Sequence, residues 1–558
     1  MKKTIFISLI ILIGFSSIAQ QKATVFGGFE SNAQWYLNDK NLKDEFNNPT
    51  VQPENPLRSN SYLFVNYKYL NWTAGIQAEA YQADALLNLN PKYVGTHVAT
   101  YFIQFKNKKI DFTLGYFYEQ FGCGLLFRSW EDRALGLNNA LRGARFIYKP
   151  TTYLTVKSIF GQQRSGFDVA NSKIYGLDSE LSLSDMLKFE TTDLSIGLTY
   201  IGRDEKMDIE NQNFNNLTNG FGGRINYNNQ SFYLSTEYDY KSKDAVVQIE
   251  NQIDNRFIKP GNALLVNTGY SKKGFGIDAT FRRIENMSFF SERSAKGNKY
   301  NDRIMNFIPS LTKQHHYNLA NIYAYQAQPN VYLVDKDIVK AGEIGGQIDV
   351  FYEVKKGTLL GGKNGLKIAG NVSSWNALSG TFYINTPQDY NTDYFGFGKR
   401  YFTDCNTEIT KKWNSKWQTV FSYINQFYDK KLVEGEAGII KSNILAAEAT
   451  YKFSAKKSIR VVGEHLWADY DKKNWVGGTT EFNLNSKLSF YVSDLYNYGN
   501  DNSYQQNHYY NLGGSFRKNA TRIALNYGRQ RGGLVCVGGI CRQVPESSGI
   551  SIALSTAF

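Results

Sequence analysis

Most side chains that could do chemistry lie in one stretch of the chain, residues 117–143, and just after it. Six charged groups of both signs crowd there: Arg128, Glu131, Asp132, Arg133, Arg142 and Arg145. In a narrow and poorly screened space, such groups set which ions or ligands enter. We predict that Phe121–Arg142 bends into a lumen as a constriction or ligand-contact loop. The alternative is a salt-bridged loop that stands in solvent.

A second candidate lies near the end of the chain, where Cys536 and Cys541 flank a Gly-Gly pair. Gly-Gly is typical of a two-residue hairpin turn. The two cysteines would then face each other across the strands, close enough for a disulfide. We expect them to be oxidised to each other in an exported protein. A metal site is a weak alternative because two thiols have no histidine nearby.

The sequence offers no recognisable catalytic arrangement. The five histidines are scattered, and the adjacent pair, His315 and His316, would point apart on a strand. No G-x-S-x-G, H-E-x-x-H or Walker motif is present. We therefore expect no enzyme activity, no catalytic, metal or cofactor-binding residue and no cofactor. A hydrolase whose serine, histidine and acid meet only in space is kept as a third hypothesis.

The first 19 residues have the pattern of a secretory signal peptide. Two lysines precede an apolar run, and Ser17 and Ala19 are small residues at the −3 and −1 positions. We predict cleavage after Ala19, which leaves 20–558 as a single exported domain. No later stretch contains the 18 or so uninterrupted apolar residues of a transmembrane helix.

The elements that must position these groups alternate with a period of two. In 72–80, apolar residues such as Ile76 and Ala78 alternate with Gln77 and Glu79, which predicts a strand facing lipid on one side and a polar lumen on the other. Aromatic residues form 15% of the chain, which favours strands and membrane interfaces. A mean hydropathy of −0.43 fits because a barrel shows lipid only every second residue.

Eleven strand pairs joined by short turns, with one strand before and one after them, predict 24 strands, within a range of 22–26. The predicted fold is all-β: a single large antiparallel transmembrane β-barrel with short periplasmic turns and long extracellular loops. The longest expected loops are 37–58, 82–95, 203–219, 246–261, 285–340 and 378–393.

The last ten residues alternate between a bulky and a small face and end in an aromatic residue. The bulky face includes Ile552, Leu554 and Phe558, and no later chain can cover it. Lipid is its natural partner, with this strand closing the barrel against the first. We interpret these three residues as the signal that barrel-assembly machinery recognises during insertion.

The formal net charge of +13 could indicate nucleic-acid binding, but export and scattered lysines argue against it. Many lysines fall in the predicted periplasmic turns. They either contact anionic phospholipid headgroups of the inner leaflet or are simply favourable turn residues. The expected partners are outer-membrane lipid, the assembly machinery and a protein partner.

Three stretches carry a resemblance to a known family. They are FYEQFGCGLLFRSWEDRALGLNNALRG, QRGGLVCVGGICR and the pattern over 58–81. The chain resembles, over essentially its whole mature length, large bacterial outer-membrane barrels classed only as a domain of unknown function. The resemblance implies a multi-pass barrel in the outer membrane of a Gram-negative bacterium. It implies no activity and no catalytic residue.

A 24-strand barrel is too wide for wall side chains to fill, so it must hold water, a plug or a partner. We expect a porin-like role, namely passage or binding of a solute or polymer across the outer membrane. The alternative is a scaffold or accessory subunit for export, assembly or surface attachment. An open, charge-lined path would favour transport, and a filled lumen would favour the scaffold.

The terminal strand gives a first testable prediction. Deleting Phe558, or replacing Leu554 with Asp, should lower the amount of folded barrel in the outer membrane because both changes damage the insertion signal. Heat-modifiable, protease-resistant protein in isolated outer membranes is the measurement. Replacing Ser555, on the small face, with Asp is the matched control and should have a smaller effect. Unchanged folded protein in both test variants would contradict the interpretation.

Overall fold

A closed antiparallel β-barrel of 24 strands forms most of the chain. The computed structural model describes residues 23–209, 212–249, 252–295, 300–385, 387–436 and 438–558. The predicted signal peptide, residues 1–19, lies outside these ranges. The all-β fold and the expected number of strands are confirmed.

The wall strands are numbered in chain order. They are β1 Thr24–Leu37, β2 Leu57–Tyr69, β3 Trp72–Gln82, β4 Gly95–Lys106, β5 Ile110–Phe117, β6 Leu141–Tyr148, β7 Leu154–Ser165, β8 Lys173–Ser182, β9 Asp193–Asp204, β10 Leu217–Asn229, β11 Phe232–Ile249, β12 Gln252–Lys272, β13 Phe275–Glu285, β14 Gly342–Val354, β15 Leu366–Tyr383, β16 Asp389–Lys412, β17 Trp417–Asp429, β18 Ile439–Lys452, β19 Ser458–Ala468, β20 Trp475–Asn483, β21 Leu488–Tyr496, β22 Asn511–Lys518, β23 Thr521–Gln530 and β24 Ser547–Ala557.

The barrel closes where its first and last strands meet. β1 pairs with β24 from Gly28↔Ala557 to Leu37↔Ser548, and its other edge pairs with β2. Because the barrel is closed, every wall strand has a neighbour on both edges for its backbone hydrogen bonds, and a lipid environment requires these bonds. Because the strand number is even, both ends of the described chain lie at the end of the barrel that carries the short turns. We call this the turn end and the opposite one the loop end.

The register of β3 follows the predicted alternation. Trp72 and Ile76 are each 48% exposed on the outer face, whereas Gln77 is 8% and Glu79 2% exposed on the inner face. Large apolar side chains on other strands, such as Leu198 and Phe421, are exposed on the same outer face. This apolar outer surface is suited to lipid.

The prediction of two of the long loops is wrong. Residues 246–261 and 378–393 lie largely within long strands: β11 and β12 have 18 and 21 residues, and β15 and β16 have 18 and 24. Each pair continues as a hairpin beyond the wall. Register shifts, for example between Asn376 and Leu378, interrupt the alternation there, so the sequence pattern does not reveal the strands.

The loops contain short elements. The helices are Leu183–Leu187 and Lys430–Glu434, and 3-10 turns occur at Arg293–Ala295, Leu319–Asn321 and Ser503–Gln505. Short strands are Asp39–Lys43, Pro49–Thr50, Gln120–Phe121, Phe127–Arg128, Glu131–Asp132, Leu137–Asn138, Asp168–Val169, Gly533–Val537 and Ile540–Val544. In the part of the chain that the structure describes, no helix is long and apolar enough to cross a membrane.

The register predicts the effect of a charge on each face. Replacing Ala78, on the outer face of β3, with Arg should destabilise the barrel by ~2–4 kcal/mol if that position lies near the bilayer centre. Ala553→Arg, on the inner face of β24, is the matched control and should cost much less because its side chain meets the lumen. Urea unfolding of the barrel in lipid vesicles measures both, and equal losses would contradict the assignment of the faces.

Candidate functional site

Three loop segments fold back into the lumen from the loop end and together form a plug. They are the arginine loop, residues 118–140; the long loop, residues 286–341, described except for 296–299; and the disulfide hairpin, residues 531–546. Each segment contacts inward-facing wall side chains or another plug segment. We take the plug and the wall that faces it as the candidate functional site.

Glycines let the arginine loop turn into the lumen. Gly122 and Gly124 both have positive φ, which glycine adopts without strain. Gly122 also lies against the wall: a Cβ there would be 2.4 Å from a carboxylate oxygen of Glu237 on β11. That carboxylate accepts a hydrogen bond from the backbone N–H of Cys123 at 2.7 Å. The arginine loop is therefore bound to β11 just after it leaves β5.

An apolar core joins the first half of the arginine loop to the wall. Residues 125–127 are buried against inward-facing isoleucines of β7, β8 and β9, namely Ile159, Ile174 and Ile201. An apolar inner wall is unusual for a water-filled barrel. Here it is covered by the loop, and burying it stabilises the plugged state by roughly 25 cal/mol per Å².

Polar contacts join the second half of the loop to β1 and β3. The guanidinium of Arg133 lies 2.9 Å from a carboxylate oxygen of Glu30 on β1. Glu131 accepts a hydrogen bond from the amide of Gln77 on β3 at 3.1 Å. Burial alone would lower the pKa of Arg133, but Glu131 and Glu30 hold that pKa above its ordinary value. The two predicted charges thus bind wall residues.

The other two predicted loop charges have different surroundings. Arg128 stacks over the ring of Phe307 in the long loop, with its guanidinium carbon 4.0 Å from the ring centre. Partial burial lowers the pKa of Arg128. Asp132 accepts a hydrogen bond from the backbone of Leu135 and so holds a turn within the loop.

The structure separates the last two predicted lumen residues. Arg145 faces the lumen on β6, where it lies 2.9 Å from Asp111 and 3.5 Å from Glu119. Arg142 is exposed on the outer face of the same strand, together with Phe146 and Tyr148. The placement of Arg142 in the lumen is wrong because β6 already begins at Leu141, and an odd separation of three residues puts Arg142 and Arg145 on opposite faces.

The long loop is the centre of the plug, and the sequence analysis did not identify it. At one end, the Asn306 amide donates to the carbonyls of Leu125 and Met287 at 3.0 and 2.6 Å. At the other end, Tyr325 stacks on Phe402 of β16, with ring centres 5.3 Å apart. The sequence carried a signal for this packing, because seven of the nine residues in 317–325 are Tyr, Leu, Ile or Ala, which is unusual for a solvated loop.

The disulfide hairpin covers the long loop. Cys536 and Cys541 pair directly across its two strands, with Cα atoms 4.0 Å apart, and are joined by a disulfide. At the hairpin tip, the Gly539 carbonyl accepts a hydrogen bond from the Ser310 N–H at 2.8 Å. Asn301 donates to the Cys541 carbonyl at 3.1 Å. A cavity of 480 Å³ remains between this hairpin and the long loop.

One buried histidine bears on the hydrolase hypothesis. His315 of the long loop lies 2.9 Å from the Asp404 carboxylate, and Ser373 is directly opposite Asp404 in the β15–β16 pair. The Ser373 hydroxyl is fully buried and, within the described residues, has no hydrogen-bond partner. A histidine that activates a serine must hydrogen-bond it, and a substrate must reach it. Among the described residues, this cluster provides neither a hydrogen bond to the serine hydroxyl nor access for a substrate.

Beneath the plug, the lumen is polar toward the turn end. A cavity of 410 Å³ extends under the arginine loop, and it is lined in part by Asn66, Gln104, Thr113, Glu131, Arg133 and Arg145. The site is therefore asymmetric. Apolar packing closes the loop end, whereas charged and amide groups face open space at the turn end.

Comparisons with known proteins give a family and several similar folds. A model described as "Family of unknown function (DUF6029)" matches residues 1–558. No curated protein sequence matches the chain.

Several solved outer-membrane barrels are similar in structure at low sequence identity. The siderophore receptor PirA from Pseudomonas aeruginosa has a TM-score of 0.42 and 7% identity, over 97% of this chain and 81% of that chain. The P pilus usher PapC translocation pore has a TM-score of 0.43 and 9% identity, over 96% of this chain and 99% of that chain. A BenF-like porin from Pseudomonas fluorescens Pf-5 has a TM-score of 0.34 and 9% identity, over 85% of this chain and 98% of that chain.

The four cysteines give a prediction with an internal control. After denaturation without reductant, alkylation should label Cys123 and Cys405, which are free thiols, and leave Cys536 and Cys541 unlabelled. In the native barrel Cys123 should also resist labelling, because burial beside Glu237 raises the pKa of its thiol to about 12. Mass spectrometry reads each site, and reduction should expose all four. Full labelling of Cys536 and Cys541 without reductant would show that the hairpin is not cross-linked.

Proposed function

The chain belongs to the DUF6029 family of unknown function, and we propose that this outer-membrane β-barrel is a gated channel closed by its own plug. The barrel is an integral protein of the outer membrane of Gram-negative bacteria, as its closed strands and apolar outer surface require. The solute or polymer that passes is a polar one, because the lumen beneath the plug is polar.

One observation carries the proposal: the plug is held to the wall in two chemically different ways. Residues 125–127 share an apolar core with the wall, whereas Arg133 and Glu131 hold β1 and β3 through an ion pair and a hydrogen bond. Water can replace polar contacts at little net cost, but exposing an apolar core is expensive. Residues 128–134, which precede the buried Leu135 and Leu137, are therefore the segment that can move while the rest stays packed.

The position of this segment suits a gate. It lies between β1–β3 and the long loop, above the 410 Å³ cavity that leads toward the turn end. Displacing it would join that cavity to the loop side along a wall that carries Glu30, Gln77 and Arg145. The path would have charges of both signs, which can select solutes by charge.

A second function, a scaffold that passes nothing, is favoured by a different observation. Trp375, Phe402 and Trp475 on the inner wall are fully buried beneath the long loop and its neighbours. A wall of large aromatic side chains is suited to permanent packing and not to contact with water. If the whole plug is permanent, the barrel presents its two ends to partner proteins.

Single-channel recording in planar bilayers distinguishes the two functions. The wild-type barrel should be closed for most of the time and open in brief events. Arg133→Glu, which places two carboxylates together at Glu30, should favour the displaced loop by about 1 kcal/mol and so raise the open probability roughly fivefold. It should also increase cation preference. Arg142→Glu, the same charge change on the outer face, is the matched control and should leave gating unchanged.

A cross-link gives the reverse test. Gln77→Cys with Glu131→Cys, in a Cys123→Ser, Cys405→Ser background, should be bridged between loop and wall by a short bis-methanethiosulfonate cross-linker, because the parent side chains meet tip to tip at 3.1 Å and the shorter cysteines leave a gap. Openings should disappear when the cross-linker is attached and return when it is removed by reduction under conditions that leave Cys536–Cys541 intact. Silence of the wild type and of Arg133→Glu alike would reject the gated channel and leave the scaffold.

A further inference from the structure

The turn end of the barrel carries a cluster of lysines around a cavity of 980 Å³, located between β12 and β17. We call it the lysine vestibule, and its lysines are Lys272, Lys273, Lys355, Lys356, Lys367 and Lys412. Among the described residues that line the cavity, Glu353 is the single carboxylate. The vestibule therefore holds six cations against one anion.

These six ammonium groups are poorly compensated among the described residues, where Glu353 stands directly opposite Lys367 in the β14–β15 pair. In the described ranges, none of them forms an ion pair with a carboxylate; the aromatic rings of Phe275 and Phe351 lie near Lys272 and Lys367. Like charges that surround one cavity repel each other, and the repulsion is relieved when an anion enters. The vestibule is thus a site for a negatively charged group.

The direction of the vestibule argues against lipid as its occupant. Lys367 lies on the same face of β15 as Asn371 and Ser373, which are buried in the lumen. Lys412 shares the inner face of β16 with Asp404. These two lysines point into the mouth of the barrel, whereas inner-leaflet headgroups surround its outside. Lys272, by contrast, shares the outer face of β12 with Tyr270. An occupant that reaches Lys367 and Lys412 must enter from the periplasm.

Beside the vestibule stands an ordered turn with an apolar tip. This leucine turn, residues 355–365, is fastened to the neighbouring turn, since Lys411 donates to the Gly361 carbonyl and Asn364 to the Trp413 carbonyl, both at 2.6 Å. At its tip, Leu359 is 100% and Leu360 70% exposed. Trp413 is also exposed on the adjoining turn. Exposed leucine and tryptophan side by side form an apolar patch, which is one mark of a binding surface.

We propose that the lysine vestibule and the leucine turn together bind an acidic peptide segment of a periplasmic protein, one that carries apolar side chains among its carboxylates. Lysine suits this ligand because its ammonium group is a point charge on a flexible stem, which tolerates variable spacing of the carboxylates. The leucine turn supplies the apolar contact and the vestibule supplies charge complementarity and faster association. The proposal does not depend on gating by the arginine loop.

Peptide binding to the full-length barrel in phosphatidylcholine nanodiscs tests the proposal. The probe is a fluorescein-labelled peptide that alternates glutamate and leucine, measured by fluorescence anisotropy. We expect binding that weakens as salt is added, and no binding of the counterpart with glutamine in place of glutamate. Changing Lys355, Lys356, Lys367 and Lys412 to Gln should weaken binding about tenfold, because it removes four of the six cations that line the vestibule.

Two controls decide the outcome. A variant with Lys108, Lys109, Lys456 and Lys457 changed to Gln removes the same charge from other turns and should bind as the wild type does. Leu359→Ser with Leu360→Ser should weaken binding without altering its salt dependence. Equal losses in both lysine variants would overturn the proposal because binding would then follow net charge alone. Retention of phosphatidylglycerol by the wild type but not by the vestibule lysine variant, measured by native mass spectrometry, together with no peptide binding by either, would also overturn it and assign the vestibule to lipid.

Discussion

Backbone hydrogen bonding in lipid is the constraint on which the rest of this structure depends. A strand in a bilayer must pair along both edges, so the chain has to close on itself, as β1 does with β24. Closure of 24 strands creates an interior that wall side chains cannot fill. Something other than wall side chains must therefore fill the lumen, and in this chain the plug loops fill it.

The plug shows how a loop can be both packed and separable. Leu125–Phe127 and Tyr325 bury apolar surface against isoleucine and aromatic residues of the wall, as in the core of a soluble protein. Arg133 and Glu131 instead meet the wall through polar contacts. Apolar packing stabilises one arrangement over all others, while polar contacts exchange with water at small cost. Polar contacts begin at Arg128, and apolar burial returns at Leu135 and Leu137 within the same loop.

The two ends of the barrel differ for a related reason. At the loop end, connections are long enough to fold back and pack on one another, so the disulfide hairpin can rest on the long loop through Gly539 and Ser310. At the turn end, most connections are too short to cover anything, and charges such as Lys367 and Lys412 stay solvated at the mouth. One end is therefore closed by the chain itself, and the other is free to receive a partner.

The sequence by itself determined what depends on neighbours along one strand. The alternation of Ile76 with Gln77 identified lipid and lumen faces, and the short turns identified the strand number, because lipid enforces a period of two wherever a strand crosses it. The tertiary structure decided what depends on groups distant in the chain. That Arg133 meets Glu30, that Arg142 faces outward, and that residues 317–325 pack against β15–β20 follow from where strands begin and how a wide lumen is filled. No local pattern encodes the contacts of Arg133 and of residues 317–325, since each joins segments that meet only in the folded barrel.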